Sequence, residues 1–94
     1  MGITYDPEKC ARNVRERALS FEEVEDFEWN SAYVLEDARK DYGERRFQAL
    51  GEIGGRVYML VFTPRGRDVH VISVRKANRR EIKRYEEERA IEDE

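Results

Sequence analysis

Apolar positions recur at helical spacing in the first third of the chain and at alternating or continuous spacing from Tyr33 onward, which predicts short helices followed by a sheet. Ile3-Thr4-Tyr5 is a short β-prone run. Asp6-Pro7-Glu8 then supplies a cap, a proline for the first helical position and an acid for the positive helix end, so a helix is expected from Pro7 to about Arg17. Its inward stripe is Cys10/Ala11, Val14 and Ala18, which carries little apolar mass. Ser20 followed three residues later by Glu23 is a capping-box pattern and opens a second short helix with Phe21, Val24 and Phe27 on one face. Trp29-Asn30-Ser31 reads as its exit turn.

Strands are predicted at about Tyr33 to Asp37, Arg45 to Glu52, Val57 to Thr63 and Asp68 to Lys76. Each is bounded by turn chemistry, first Asp41-Tyr42-Gly43, then Gly54-Gly55, then Pro64-Arg65-Gly66. The last two connections are short enough for hairpins, giving an antiparallel meander. Val57 to Phe62 is apolar on both faces and is expected to be the central strand, covered by helices on at least one side. After Ala77-Asn78 a final helix should run to about Arg89 with Ile82 and Tyr85 inward, and the acidic tail, about residues 90–94, should fray. The expected class is α+β in a single domain spanning residues 1–94: two short N-terminal helices, an antiparallel sheet of four to five strands, and a C-terminal helix.

Composition sharpens this picture. Hydrophobic residues make up 39% and charged residues 41%, against a usual ~45–50% and ~25%, so the core is thin and a stabilising partner is natural. The lone Cys10 has no intramolecular partner and no secretory leader is evident, which fits a reducing cytoplasm. The longest apolar run, Val57 to Phe62, is far shorter than the ~20 residues of a membrane span, so no membrane partner is expected. The net charge of -3 conceals a pattern. Residues 1–44 carry 6 Lys/Arg and 12 Asp/Glu, residues 45–84 carry 11 and 3, and residues 85–94 carry 1 and 6. A basic segment within an acidic frame suits an anionic partner on one surface, unless the three blocks neutralise one another on folding.

Two stretches resemble the BrnT toxins. The first is Tyr5-Asp6-Pro7-Glu8-Lys9 with Asn13 and Ser20-Phe21-Glu22-Glu23. The second is Glu44-Arg45-Arg46-Phe47 with Gly51, then Ile72-Ser73-Val74-Arg75-Lys76-Ala77 and Arg79-Arg80-Glu81 with Tyr85. Where that family commonly carries Lys-His-Gly between its first two helices, this chain has Glu16-Arg17-Ala18, and alanine is a tolerable replacement if the backbone stays at negative φ. The resemblance implies a RelE-like domain that cleaves RNA without a metal, inhibiting translation and growth. It also implies a BrnA-type antitoxin that neutralises the enzyme and helps repress a shared promoter, so that operator DNA is reached only through the antitoxin.

Metal-independent RNA cleavage through the 2′-hydroxyl needs a base, an acid and positive charge at the phosphorane oxygens. Arg46 and Arg75 lead the candidates because a guanidinium pairs with phosphate in two bonds and stays charged. Their alternative role is ion pairing with the acidic first helices. Ser73 lies two residues from Arg75 and shares its sheet face; Lys76 points the other way unless the strand end re-aims it. His70, the one histidine, is a weaker acid/base candidate, since regular alternation groups it with Ile72 and Val74, opposite Ser73 and Arg75. Tyr85 and Glu81 are possible proton handlers, with packing as the commoner role for such a tyrosine. Arg45, Arg67, Arg79 and Arg80 are further RNA contacts. One Cys and one His are too few for the usual zinc site, and no phosphate-loop or dinucleotide glycine pattern occurs, so no metal and no cofactor are expected. Two other classes remain open: a non-catalytic RNA- or partner-binding module of the same fold, and an interaction protein whose charge blocks are purely structural.

Overall fold

The computed structural model describes residues 2–92. Strand β1 (Ile3–Tyr5) leads into helix α1 (Pro7–Arg17). Two 3₁₀ turns follow, Phe21–Asp26 and Trp29–Ser31. Strands β2 (Tyr33–Glu36), β3 (Phe47–Ile53), β4 (Arg56–Arg65) and β5 (Asp68–Lys76) precede helix α2 (Arg79–Glu92). The sheet order is β1-β5-β4-β3-β2. β2 to β5 form the expected antiparallel meander, while β1 pairs parallel to β5, Ile3↔Val69 to Tyr5↔Val71. This is the RelE-like α+β arrangement, with β4 in the centre. α2 runs past its expected end to Glu92, and residues 93 and 94 of the expected tail lie outside the described residues. No helix among the described residues is long and apolar enough to cross a membrane.

The predicted caps form. Asp6 accepts from the Glu8 amide at 2.9 Å, and the Ser20–Glu23 box closes with Glu22 N donating to Ser20 Oγ and Ser20 N to Glu23 Oε2, both at 3.2 Å. The segment after Ser20 is a tight 3₁₀ turn, not an α-helix, yet it buries the three predicted apolar residues Phe21, Val24 and Phe27. These pack with Leu19 against Ala49, Leu60, Phe62, Val69, Val71 and Val74 on one sheet face. The Phe27 ring lies over the backbone of Gly51, where an added Cβ would collide with it. Edge contacts then link Phe27 to Trp29 at 4.8 Å and Trp29 to Phe62 at 5.2 Å.

α1 keeps only Cys10 of its expected stripe against the main core. Val14 is 46% exposed, and Ala11 and Ala18 are exposed, whereas Asn13 is buried. Its amide donates to Leu19 O at 2.8 Å and to Val74 O at 3.0 Å, a carbonyl on the stretch of β5 that β1 no longer flanks. A polar anchor thus replaces the missing apolar mass, because buried carbonyls need donors. The helix ends at Ala18, whose φ of 54° and ψ of 35° are left-handed. The alanine therefore does not keep the negative φ that would make it an innocent substitute for glycine.

The opposite face buries Leu50, Met59 and Tyr85. Asn78 caps α2 in a second box, accepting from Glu81 N at 2.8 Å while Glu81 Oε1 accepts from Asn78 N at 2.9 Å. Tyr85 is buried with its hydroxyl donating to Glu52 at 2.6 Å, and Ile82 is half-buried.

Candidate active site

The β4–β5 ladder pairs Leu60↔Val74 and Val61↔Ser73, then jumps to Phe62↔Val71, leaving Ile72 unopposed. This is a β-bulge, and the extra residue reverses the alternation along β5. Val69, Val71 and Val74 all face the main core, which regular alternation forbids. His70, opposite Thr63, therefore joins Ser73, opposite Val61, and Arg75, opposite Met59, on the α2 side. The sequence expectation that His70 lies opposite Ser73 and Arg75 is corrected by one bulged residue.

Across the strands this face reads in rows. Leu50–Met59–Arg75 lies beneath the start of α2, and Gln48–Val61–Ser73 comes next. One step beyond Phe47↔Phe62, Arg46 falls in the row of Thr63 and His70. Gln48, Val61, Ser73, Arg46 and His70 are all half-buried, so this part of the sheet is open to solvent in a way the row under α2 is not. With strands about 4.8 Å apart and a rise of about 3.4 Å per residue, Arg46, His70 and Ser73 mark a patch roughly 10 Å on a side.

Arg46 has no carboxylate partner among the described residues. Its guanidinium lies 3.9 Å from the centre of the Tyr42 ring, and its Nε–H is buried without an acceptor. Tyr42 is held in turn: its hydroxyl donates to Asp37 Oδ2 at 3.3 Å, and Arg39 grips Asp37 with two bonds of 2.8 Å. The Asp37 side chain is 1% exposed. Those Arg39 bonds, opposed by burial, hold its carboxyl far below the usual carboxylate range. Asp37, Arg39 and Tyr42 were not singled out from sequence as site residues, because an acid and a tyrosine beside a glycine read as turn chemistry. The available signal was an Asp with an Arg two residues on, a spacing that closes a side-chain turn.

His70 Nδ1 lies 2.8 Å from Thr4 Oγ1 across the β1–β5 pair. Burial first, and then the nearby Arg65 charge, lowers its pKa below the ordinary imidazole value, favouring the neutral ring. Arg75 is occupied: NH1 and NH2 each donate to a Glu81 oxygen at 2.8 Å. It pairs not with the first helices but with the residue that caps α2, and its charge is largely matched there. Lys76 is exposed and lines a hollow on the α1 side with Leu19, Tyr58 and Arg75.

Among the further RNA candidates, Arg45 is paired with Glu36 at 3.0 Å. Arg67 is exposed at the β4–β5 turn, and Arg79 and Arg80 are exposed on the first turn of α2. Tyr85 is not brought to this patch; it locks α2 to β3 through Glu52. By ladder register Arg46, His70 and Ser73 lie on one face of the sheet with Arg80 at its border, Ser73 also lining a hollow beside Lys9, Arg12 and Arg17 of α1, while Tyr85 is set apart. Comparison with protein-family models matches residues 5–81 to the ribonuclease toxin BrnT of type II toxin-antitoxin systems. No curated protein matches the chain.

Proposed function

The chain belongs to the BrnT family of ribonuclease toxins of type II toxin-antitoxin systems, and from that premise we propose that RNA is held and cut on the open half of the sheet, with Arg46 as the phosphate-binding cation. As a member of that family it is an RNA-cleaving enzyme paired with an antitoxin. The observation that supports the location is Arg46 itself. It is a guanidinium free of carboxylates, stacked on Tyr42, with a desolvated Nε–H that lacks an acceptor. The terminal N–H groups of such a guanidinium can meet a phosphate in two charge-assisted bonds, each about twice as strong as a neutral one.

The chemistry follows from the row. His70, held by Thr4 and kept neutral, takes the proton of the 2′-hydroxyl as that oxygen attacks phosphorus. The P–O5′ bond breaks, the departing 5′ oxygen takes a proton from water, and a 2′,3′-cyclic phosphate is left. Arg46 neutralises the charge that grows on the phosphorane oxygens. Ser73 donates to the same phosphate or its neighbour. Arg75 fixes Glu81 and with it the start of α2, so that Arg79 and Arg80 line the RNA path; Arg67, Arg45 and Lys76 supply outlying charge. None of these steps needs a metal. The resulting loss of RNA stops translation and growth, a BrnA-type antitoxin holds the enzyme in check, and operator DNA is met only through that antitoxin.

A synthetic single-stranded RNA incubated with purified protein in a chelating buffer tests this reading. Arg46→Ala should lower kcat/KM by about 100-fold, the scale of losing one transition-state donor, and leave the urea midpoint within a few tenths molar of wild type. Arg75→Ala should cost less in activity and more in stability. Cleavage by Arg46→Ala at the wild-type rate would remove the open face from the mechanism.

A further inference from the structure

β2 ends the sheet, and nothing among the described residues pairs with its outer side. Asp37 N donates to Arg46 O at 2.7 Å, so alternation makes Leu35↔Gln48 and Tyr33↔Leu50 the hydrogen-bonded pairs. The N–H and C=O groups of Val34 and Glu36 therefore point outward. Edge strands are normally blunted by charge, proline or a covering loop. This one instead exposes Val34 at 42% on one face and Leu35 at 46% on the other. A helix laid in a groove covers only one of those faces, whereas an added strand covers both, since its own side chains alternate.

Beside Leu35 lies a hollow of about 220 Å³ between the sheet and α2, with Tyr33, Leu50 and Met59 among its walls and Arg80 and Arg84 at its rim. Glu81, the acid on that rim, is taken up by Arg75, and Arg84 is shared between the Tyr33 hydroxyl at 2.7 Å and Glu88 at 3.5 Å, which leaves Arg80 as the unmatched positive charge of the rim. Gln48 also lines the hollow, which places it next to the open face assigned to RNA.

We infer that the β2 edge is the docking site for an extended segment of the antitoxin, which adds as a sixth strand beside Val34–Glu36, puts an apolar side chain over Leu35 into the hollow, and sets an acidic side chain against Arg80. This rests on the toxin reading above and adds where the inhibitor sits: at the rim of the RNA face, covering Arg80. The exposed apolar pair and the unanswered backbone groups are what the partner satisfies. Charge complementarity selects an acidic segment over a second copy of this chain, which would bring the same arginines to its own β2.

The toxin is co-expressed with its antitoxin, and amide hydrogen exchange is compared for free toxin and complex. The Val34 and Glu36 amides should exchange rapidly in the free toxin and be slowed at least tenfold in the complex. Val34→Pro removes an outward donor without touching the β2–β3 ladder; it should weaken antitoxin binding at least tenfold and cleave RNA at the wild-type rate. Should that variant misfold, Leu35→Lys provides the same test from the hollow, and the wild-type amide protection decides alone. An antitoxin that binds tightly while leaving both amides unprotected would overturn the docking site but not the toxin reading; one that fails to bind at all would overturn the pairing. Protection of both amides in free toxin of dimer mass would assign the edge to a second copy and likewise overturn the proposal.

Discussion

Replacing Ala18 by glycine should make this protein more stable, although glycine substitution usually does the reverse. Ala18 ends α1 with φ 54° and ψ 35°, and its amide donates to Val14 O at 2.8 Å, so the left-handed turn is the helix stop itself. In that conformation Cβ crowds the following carbonyl, at about 1–2 kcal/mol. Glycine has no Cβ and relieves that strain, but it frees the unfolded chain by about 0.4–1 kcal/mol. The methyl is exposed, so little apolar burial is lost. The balance is a gain of about 0.5–1 kcal/mol, which for a domain of this size raises Tm by about 3–6 °C. Ala11 is the control, since it lies exposed in the interior of the same helix. There the identical change should cost about 1 kcal/mol. Thermal melts followed by circular dichroism read both variants. If Ala18→Gly and Ala11→Gly fall together, the left-handed cap is not strained and the argument is refuted.

Gly51→Ala should destabilise by about 1–3 kcal/mol through overpacking against Phe27, and a double-mutant cycle with Phe27→Leu in urea should show the two coupled; additive losses would mean that the ring does not seat on that backbone. Asp37 and Glu81 both titrate below their ordinary values because arginines hold them, so each adds stability that is present above about pH 4 and lost as pH falls through the lowered folded value. Urea midpoints should accordingly drop below about pH 4, and less steeply in Asp37→Asn; parallel slopes would count against it. His70 is shifted down by burial, so the acid limb of kcat/KM for RNA cleavage should lie below the ordinary imidazole value of about 6.5. A limb at or above that value, or one unchanged in His70→Ala, excludes the ring as base.

How much could be read from sequence depended on whether a feature is stated by neighbouring residues. Asp6-Pro7 and Ser20–Glu23 are local statements, and both caps formed as written. The double-faced apolar run of β4 is also local, and it placed that strand at the centre. β1 is three residues long and carries no pattern that names its partner, so its parallel pairing with β5 came from the fold alone. α1 misled because periodicity weighs apolar residues, and the side chain that anchors the helix is the amide of Asn13. The bulge at Ile72 was invisible for a related reason. His70, Ile72 and Val74 alternate cleanly, and nothing in that run marks one residue as extra; only the demand that Val71 and Val74 both reach the core forces it. That demand also brings Ser73 and Arg75 to the face shared by His70 and Arg46. In a strand kept regular from the β4–β5 turn onward, Ser73 would lie on the opposite side of the sheet from the imidazole and the unpaired guanidinium, and no single phosphodiester could meet all three. The chemistry proposed here therefore hangs on a packing requirement of two valines, which makes a core residue such as Val71 as decisive for the site as any residue in it.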